Sequence, residues 1–197
     1  MRSRLAFCCL LFGVGCTSPS GPTFSGTVSD PAGDAFVFDS VPLPPDLIAA
    51  TIDISGTDLI LTVSYKPGTL SQTLTKFQAL LDIDENPATG FGGVDEAHTD
   101  APLIGVDYMI VAVSPRASGQ GQVSQIDSVG HVTSTGTVTL TFPTADQAKV
   151  TVPLSMLGND DGKLKFKVTV SQFVTDIGST GIIDVMPNVG LAPGQVR

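Results

Sequence analysis

Alternation of apolar and polar residues is the feature of this sequence that most constrains its fold. The segment DLILTVSY (58–65) has a large apolar residue at every second position, namely Leu59, Leu61, Val63 and Tyr65. The same period recurs in segments 50–54, 77–83, 138–142 and 164–170. Successive side chains of a strand point to opposite faces, so these segments predict β-strands with one buried face. A helical pattern is limited to about one turn, in PLSML (153–157).

The segment VDYMIVAV (106–113) is apolar on both faces, which is typical of a strand that lies between two others. Thr and Val are abundant, and Gly, Pro and Asp separate the alternating segments. The sequence therefore predicts an all-β fold. The expected form is an antiparallel β-sandwich of about eight to ten strands, with at most one short helical turn.

Three lysines alternate with the apolar residues near the C-terminal end of the chain. Lys163, Lys165 and Lys167 would lie on the outer face of the strand predicted at 164–170. We interpret them as a solvated face, or as protection of a sheet edge against the addition of another strand, and not as an anion-binding patch.

The first fifteen residues are predicted to be a secretory signal. Arg2 and Arg4 precede an apolar run, LAFCCLLFGV, which is shorter than the about 20 residues of a membrane-spanning helix. The segment GVGC (13–16) resembles a bacterial lipobox, although Gly13 stands where that pattern prefers Leu. The resemblance implies cleavage before Cys16 and attachment of lipid to it. The alternative is an ordinary secreted protein in which Cys16 is incidental.

The predicted organisation has three parts: a signal peptide (1–15), the lipidated cysteine with a short tether (16–23), and a single domain (24–197). Anchoring through Cys16 predicts a location in the bacterial cell envelope, and Thr17 favours the outer membrane or cell surface over the inner membrane. The formal net charge of −9 disfavours nucleic acid as a partner. Because a negatively charged chain is not attracted to anionic headgroups, acyl chains would have to hold the protein at a membrane.

Motifs for catalysis are sparse. The chain has two histidines, and it lacks both the G-x-S-x-G nucleophile motif and the H-E-x-x-H zinc motif. We therefore predict that the protein is not an enzyme. A secreted hydrolase is an alternative that would require a histidine–acid pair beside a nucleophile.

An acidic segment at the end of a predicted strand offers ligands for calcium. In LLDIDENPATGFGG (80–93), Asp82, Asp84 and Asn86 occupy alternate positions, and Asp107 precedes the next strand. Calcium takes six to eight oxygen ligands, which these four residues can supply in part. The segment is not an EF-hand loop, since the sixth and twelfth positions counted from Asp82 are Pro87 and Gly93, where such a loop requires Gly and Glu. The alternative interpretation is a turn in which these side chains accept backbone hydrogen bonds.

A second set of acids is more widely spaced along the chain. Asp30 and Asp34 lie in DPAGD, and Asp184 would lie beside them if the terminal strands pair. These three residues are a second possible calcium site. An Asx-type turn is again the alternative.

The order of these motifs resembles family 9 carbohydrate-binding modules and DOMON-like domains, over residues 25–190. The motifs are DPAGD (30–34), LLDIDENPATG (80–90), GVDYMIV (105–111), VTVPLSMLGNDDGKLKFKVTV (150–170) and DVMPNVG (184–190). The resemblance implies a jelly-roll-like sandwich that binds sugar or haem.

Sugar binding in such modules uses exposed aromatic rings, on which the apolar face of a sugar packs. The chain has no Trp, and alternation places both tyrosines, Tyr65 and Tyr108, in the core. Phe91 is therefore the predicted ligand contact. Haem binding would use Met and His as axial ligands, and the residues available are His98, His131, Met109, Met156 and Met186.

The sequence thus predicts an envelope-anchored, non-catalytic lipoprotein that acts as a binding or structural module. Its expected partner is a glycan or an envelope protein. No cofactor is assigned from the sequence, and calcium is the candidate. The alternatives are a carbohydrate-binding module proper, a haem-binding DOMON-type domain and a secreted hydrolase.

Overall fold

The computed structural model describes residues 23–37, 43–92, 104–113, 120–174, 178–179, 181–188 and 191–197. Within these ranges the chain forms twelve strands and one 3₁₀ turn, Leu154–Leu157, and no α-helix. The strands are β1 (Phe24–Ser29), β2 (Leu47–Ser55), β3 (Asp58–Tyr65), β4 (Thr75–Asp82), β5 (Tyr108–Val113), β6 (Gln120–Ile126), β7 (Val132–Thr144), β8 (Gln147–Pro153), β9 (Leu164–Val174), β10 (Gly178–Ser179), β11 (Asp184–Met186) and β12 (Gly194–Val196). The all-β prediction is confirmed, and the helical turn lies where PLSML predicts it.

The strands form one antiparallel sheet in the order β1-β2-β3-β8-β7-β6-β5-β4-β9-β10, and β11 and β12 also pair with β9. The two ends of the sheet approach each other, because Ser25 and Arg197 exchange backbone hydrogen bonds of 3.4 Å between β1 and the end of β12. The sheet is therefore nearly closed into a barrel-like shape, with one face inside.

The inner face of this sheet holds one continuous apolar core. The residues that alternation places inside in β3 are Leu59, Leu61, Val63 and Tyr65, and each is at most 1% exposed. Tyr108 is also buried, as predicted. The β2–β3 hairpin turns at Gly56, whose φ of 63° is a conformation that glycine adopts without steric cost.

The interpretation of the three lysines is wrong for two of them. Strand β9 is not an edge, because it pairs with β4 on one side and with β11 and β12 on the other. Lys167 is only 4% exposed, and the side chain of Lys165 is 19% exposed beside Asp82. Lys163 alone is well exposed, at 51% of its side chain. Period-two alternation assigns a side chain to a face, but it does not reveal what covers that face.

The predicted signal peptide and Cys16 lie outside the described residues, as does His98. In the parts of the chain that the structure describes, no helix has the length and apolar character needed to cross a bilayer.

Candidate functional site

The structure brings Asp82, Asp84 and Asp107 together at the end of β4; we call them the first cluster. One carboxylate oxygen of each lies within 4.8 Å of the others. The backbone N–H of Asp107 donates to the carbonyl of Leu81 (2.9 Å), which places Asp107 beside the end of the strand. Its Oδ2 in turn accepts a hydrogen bond from the N–H of Ile83 (3.0 Å).

Asp84 and Asn86 also organise the turn that follows β4. Oδ1 of Asp84 accepts the N–H of Asn86 (2.9 Å), and its Oδ2 accepts the hydroxyl of Thr89 (2.6 Å). Oδ1 of Asn86 accepts the N–H of Ala88 (3.1 Å). The Thr89 hydroxyl holds the pKa of Asp84 below its usual range, so this carboxylate is ionised at neutral pH. The turn predicted as the alternative to a metal site is therefore present, and it holds Asp84 in place.

The hydrogen bonds of the turn do not involve Asp82, the buried residue of the first cluster. It is 0% exposed, and neither of its oxygens accepts a hydrogen bond from the described residues. Burial raises its pKa to about 6, although the ammonium of Lys165, 4.0 Å from Oδ2, and the nearby N–H of Gly105 act in the opposite direction. A buried carboxylate without hydrogen bonds is costly, and an ammonium at 4.0 Å compensates it only in part, so a proton or a further cation would stabilise this group.

Charges in the first cluster do not balance when all its groups are ionised. Burial also raises the pKa of Asp107, which is half-buried. The ammonium of Lys165 is shared, because it also donates to the backbone carbonyl of Glu85. Among the described contacts, the three carboxylates lie beside the ammonium of Lys165, which leaves two negative charges, the charge that one divalent cation neutralises.

Two glycines allow the chain to pack tightly around the first cluster. A Cβ at Gly105 would collide with the backbone carbonyl oxygen of Thr89. A Cβ at Gly90, whose φ is +67°, would lie 2.9 Å from Oδ1 of Asp107. The turn after β4 and the segment before β5 are therefore in direct backbone contact, which positions Asp107 against Asp82.

The structure also brings together Asp30, Asp34 and Asp184; we call them the second cluster. Their carboxylate oxygens lie within 4.8 Å of one another. Asp184 accepts two backbone hydrogen bonds, from Leu47 (2.7 Å) to Oδ2 and from Val185 (2.8 Å) to Oδ1. These bonds fix Asp184 at the start of β11.

Asp30 is the buried member of the second cluster whose carboxylate lacks hydrogen bonds from the described residues. It is 8% exposed. Burial raises its pKa to about 7, with a further contribution from the charge of Asp184; the nearby backbone N–H of Asn188 lowers it slightly. The pKa of Asp184 is raised to about 6, again chiefly by burial.

Sequence reasoning missed two residues beside the second cluster. Asp46 is 3% exposed, and its Oδ2 accepts the N–H of Gly33 (2.8 Å) and lies 3.4 Å from the ammonium of Lys66. Phe36 is 64% exposed and lines a cleft of about 170 Å³ beside Asp34, Asp184 and Asn188. The position of Asp46 immediately before a strand is a signal that could have been used; Phe36 has no such signal, because it lies in a connection of irregular structure.

Phe91, the predicted ligand contact, is half-buried. It forms an isolated bridge with Val106, and its side chain packs against a small apolar group formed by Leu80, Ile104, Val106 and Ile126. Its ring also lies against Gly130, where a Cβ would approach within 2.9 Å. The Phe91 ring therefore packs mainly against other residues of the protein.

The residues named as possible haem ligands occupy different environments. Met186 is fully buried in the core, whereas the side chain of His131 is 79% exposed and lies 3.4 Å from Asp127. Met109 accepts a hydrogen bond from the amide of Gln78 (3.3 Å), and Met156 lies against Gly136.

No match was found when the chain was compared with protein-family models, with curated proteins and with solved structures.

Proposed function

We propose that the protein is a calcium-binding, non-catalytic β-domain that serves as a binding or structural module of the bacterial cell envelope, anchored by lipid at Cys16. The observation that carries the calcium assignment is Asp82, a completely buried carboxylate whose oxygens accept no hydrogen bond from the described residues and face Asp84 and Asp107.

The ligand set favours calcium over other cations. All the donors are oxygens, which suit hard cations and not the zinc or copper that prefer nitrogen and sulfur. Calcium accepts irregular geometry with six to eight oxygens, whereas magnesium demands a near-ideal octahedron. Asp84 and Asp107 each accept backbone hydrogen bonds, so their positions do not depend on the ion.

Calcium removal tests this proposal. An ion that binds only the folded chain stabilises it by about 2.7 kcal/mol when free calcium is 100 times Kd. For a domain of this size, that corresponds to an increase in melting temperature of about 5–10 °C. We expect the purified full-length chain to melt higher in calcium chloride than in a calcium chelator, and to respond much less to magnesium.

Substitution of Asp82 tests whether calcium stabilises the protein by binding at the first cluster. We expect Asp82→Asn to bind one calcium ion fewer than the wild type by calorimetry and to lose the stabilisation due to that ion. Asp161→Asn is the matched control, because the side chain of Asp161 is 69% exposed and lies outside both clusters. Folding of each variant is checked by circular dichroism. Equal calcium stoichiometry in Asp82→Asn and wild type would refute the site.

A carbohydrate-binding module proper is the second candidate function, and the exposed ring of Phe36 beside the cleft is the observation that favours it. An exposed aromatic beside polar groups can pack on a sugar and orient its hydroxyls. We expect the full-length chain to be retained by at least one member of a panel of immobilised envelope and plant polysaccharides. We expect Phe36→Ala to weaken that retention several-fold.

Val37→Ala is the matched control, since Val37 is 68% exposed and adjacent in sequence. Retention of both variants equal to that of the wild type, or no retention of the wild type on any polysaccharide, would reject the sugar-binding function and favour an envelope protein as partner.

A further inference from the structure

We propose that the second cluster, Asp30, Asp34 and Asp184, is a second calcium site, independent of the first, at the edge of the cleft beside Phe36. The three oxygens that converge within 4.8 Å come from segments about 150 residues apart in sequence. Asp30 and Asp34 follow β1, whereas Asp184 begins β11. An ion at this point would tie the β1–β2 connection to the strand that pairs with β9.

Asp30 accepts no hydrogen bond from the described residues, and this observation is independent of the convergence. Its carboxylate is more than nine-tenths buried and faces Asp34 and Asp184. The ammonium of Lys66 lies near Gly33, in the turn between Asp30 and Asp34, and it is engaged by Asp46 at 3.4 Å. Three carboxylates thus share one small volume while the local lysine neutralises a fourth. A divalent cation would remove their mutual repulsion and give the Asp30 carboxylate a direct partner.

The second cluster has a route by which an ion can enter. Asp34 is exposed, and Asp34, Asp184 and Asn188 line the cleft of about 170 Å³. Asn188 donates from its amide to Oδ2 of Asp34 (2.7 Å), which orients that carboxylate. Carboxylates of three residues cannot fill all positions around a calcium ion that takes six to eight oxygens. The open side of the cleft leaves room for water or for oxygens of a ligand to complete the coordination.

The two clusters are too far apart to share one ion. Asp184 pairs with Val170 of β9, whereas Asp82 pairs with Lys165 on the other side of that strand. Five residues of a strand at about 3.3 Å each separate these positions by roughly 17 Å along β9. The ions would therefore bind as two separate events, and each site can be removed without the other.

Calcium stoichiometry tests the second site separately from the first. We expect the purified full-length wild type, freed of metal by chelator, to bind two calcium ions by calorimetry. Asp34→Asn should bind one, Asp82→Asn should bind one, and the double variant none. Asp161→Asn should bind two. Asp34 is exposed, so this variant is expected to fold, and Asp30→Asn provides a second test of the same site.

The outcomes separate the two proposals. Two ions in Asp34→Asn and in Asp30→Asn would overturn the second site, whatever the result for Asp82. Two ions in Asp82→Asn would instead refute the first site and leave the second standing. A wild type that binds no calcium would overturn both.

Terbium, a luminescent substitute for calcium, adds a readout of position. The chain has two tyrosines and no tryptophan, so excitation of tyrosine can sensitise a bound ion from only two places. Tyr65 pairs with Leu47, whose backbone N–H donates to Asp184 (2.7 Å), and Tyr108 directly follows Asp107 in the chain. We expect Tyr65→Phe and Asp34→Asn to lose the same part of the terbium emission, and Tyr108→Phe to lose the rest. Emission unchanged in both Tyr65→Phe and Asp34→Asn would contradict the second site.

Discussion

At the scale of single residues, three buried aspartates predict how metal-free protein responds to pH. Burial raises the pKa of Asp30 from 3.8 to about 7, and those of Asp82 and Asp184 from 3.8 to about 6. At pH values between 3.8 and these raised pKa values, the three carboxyl groups hold protons in the folded chain that they have released in the unfolded chain. The contribution of these groups to the free energy of unfolding is therefore complete below about pH 4, and it is lost as the pH rises to about 7. In chelator, we expect the melting temperature to fall across this range.

Saturating calcium should weaken or reverse this pH dependence, because the ion binds the deprotonated carboxylates and releases their protons. Melting is measured by circular dichroism at intervals of pH, with chelator and with calcium. Asp30→Asn is the informative variant, since it should flatten the upper part of the decline, near the highest of the three pKa values. A melting temperature in chelator that rises steadily from pH 4 to 7 would contradict the prediction.

At the scale of elements, local sequence patterns predicted where the strands lie. The positions of the strands in the sheet depend on pairing between segments that are distant in sequence. Alternation identified β3 and the buried side of β9, because the pleat gives each residue a face regardless of its neighbours. It could not show that β9 is interior or that Lys167 is buried, since both depend on strands distant in sequence.

The same reasoning explains which parts of the clusters were predicted. Asp82 and Asp107 flank one connection between paired strands, so their proximity follows from a local motif. Asp30 and Asp184 could be associated only by assuming that the terminal strands meet. Asp46 and Phe36 were missed because irregular connections have no period from which to infer their position.

At the scale of the whole molecule, the proposed envelope location requires a membrane anchor. With a formal net charge of −9, the chain would be repelled by anionic headgroups, so attachment would depend on lipid. A single acyl chain gives only marginal binding, whereas two or more give stable anchoring. Attachment through diacylated Cys16 therefore predicts membrane association that resists high salt and is abolished by detergent.

We expect the full-length chain, expressed in a bacterium with two membranes, to incorporate radiolabelled palmitate and to sediment with membranes after a high-salt wash. Cys16→Ser should lose the label and appear in the soluble fraction, because no acyl chain can then be attached. Cys8→Ser and Cys9→Ser are matched controls, since both residues lie inside the apolar run that the predicted cleavage removes. Retention of label by Cys16→Ser would contradict anchoring at this residue. Loss of label in all three variants would instead indicate that the apolar run, and not the lipobox, was disturbed.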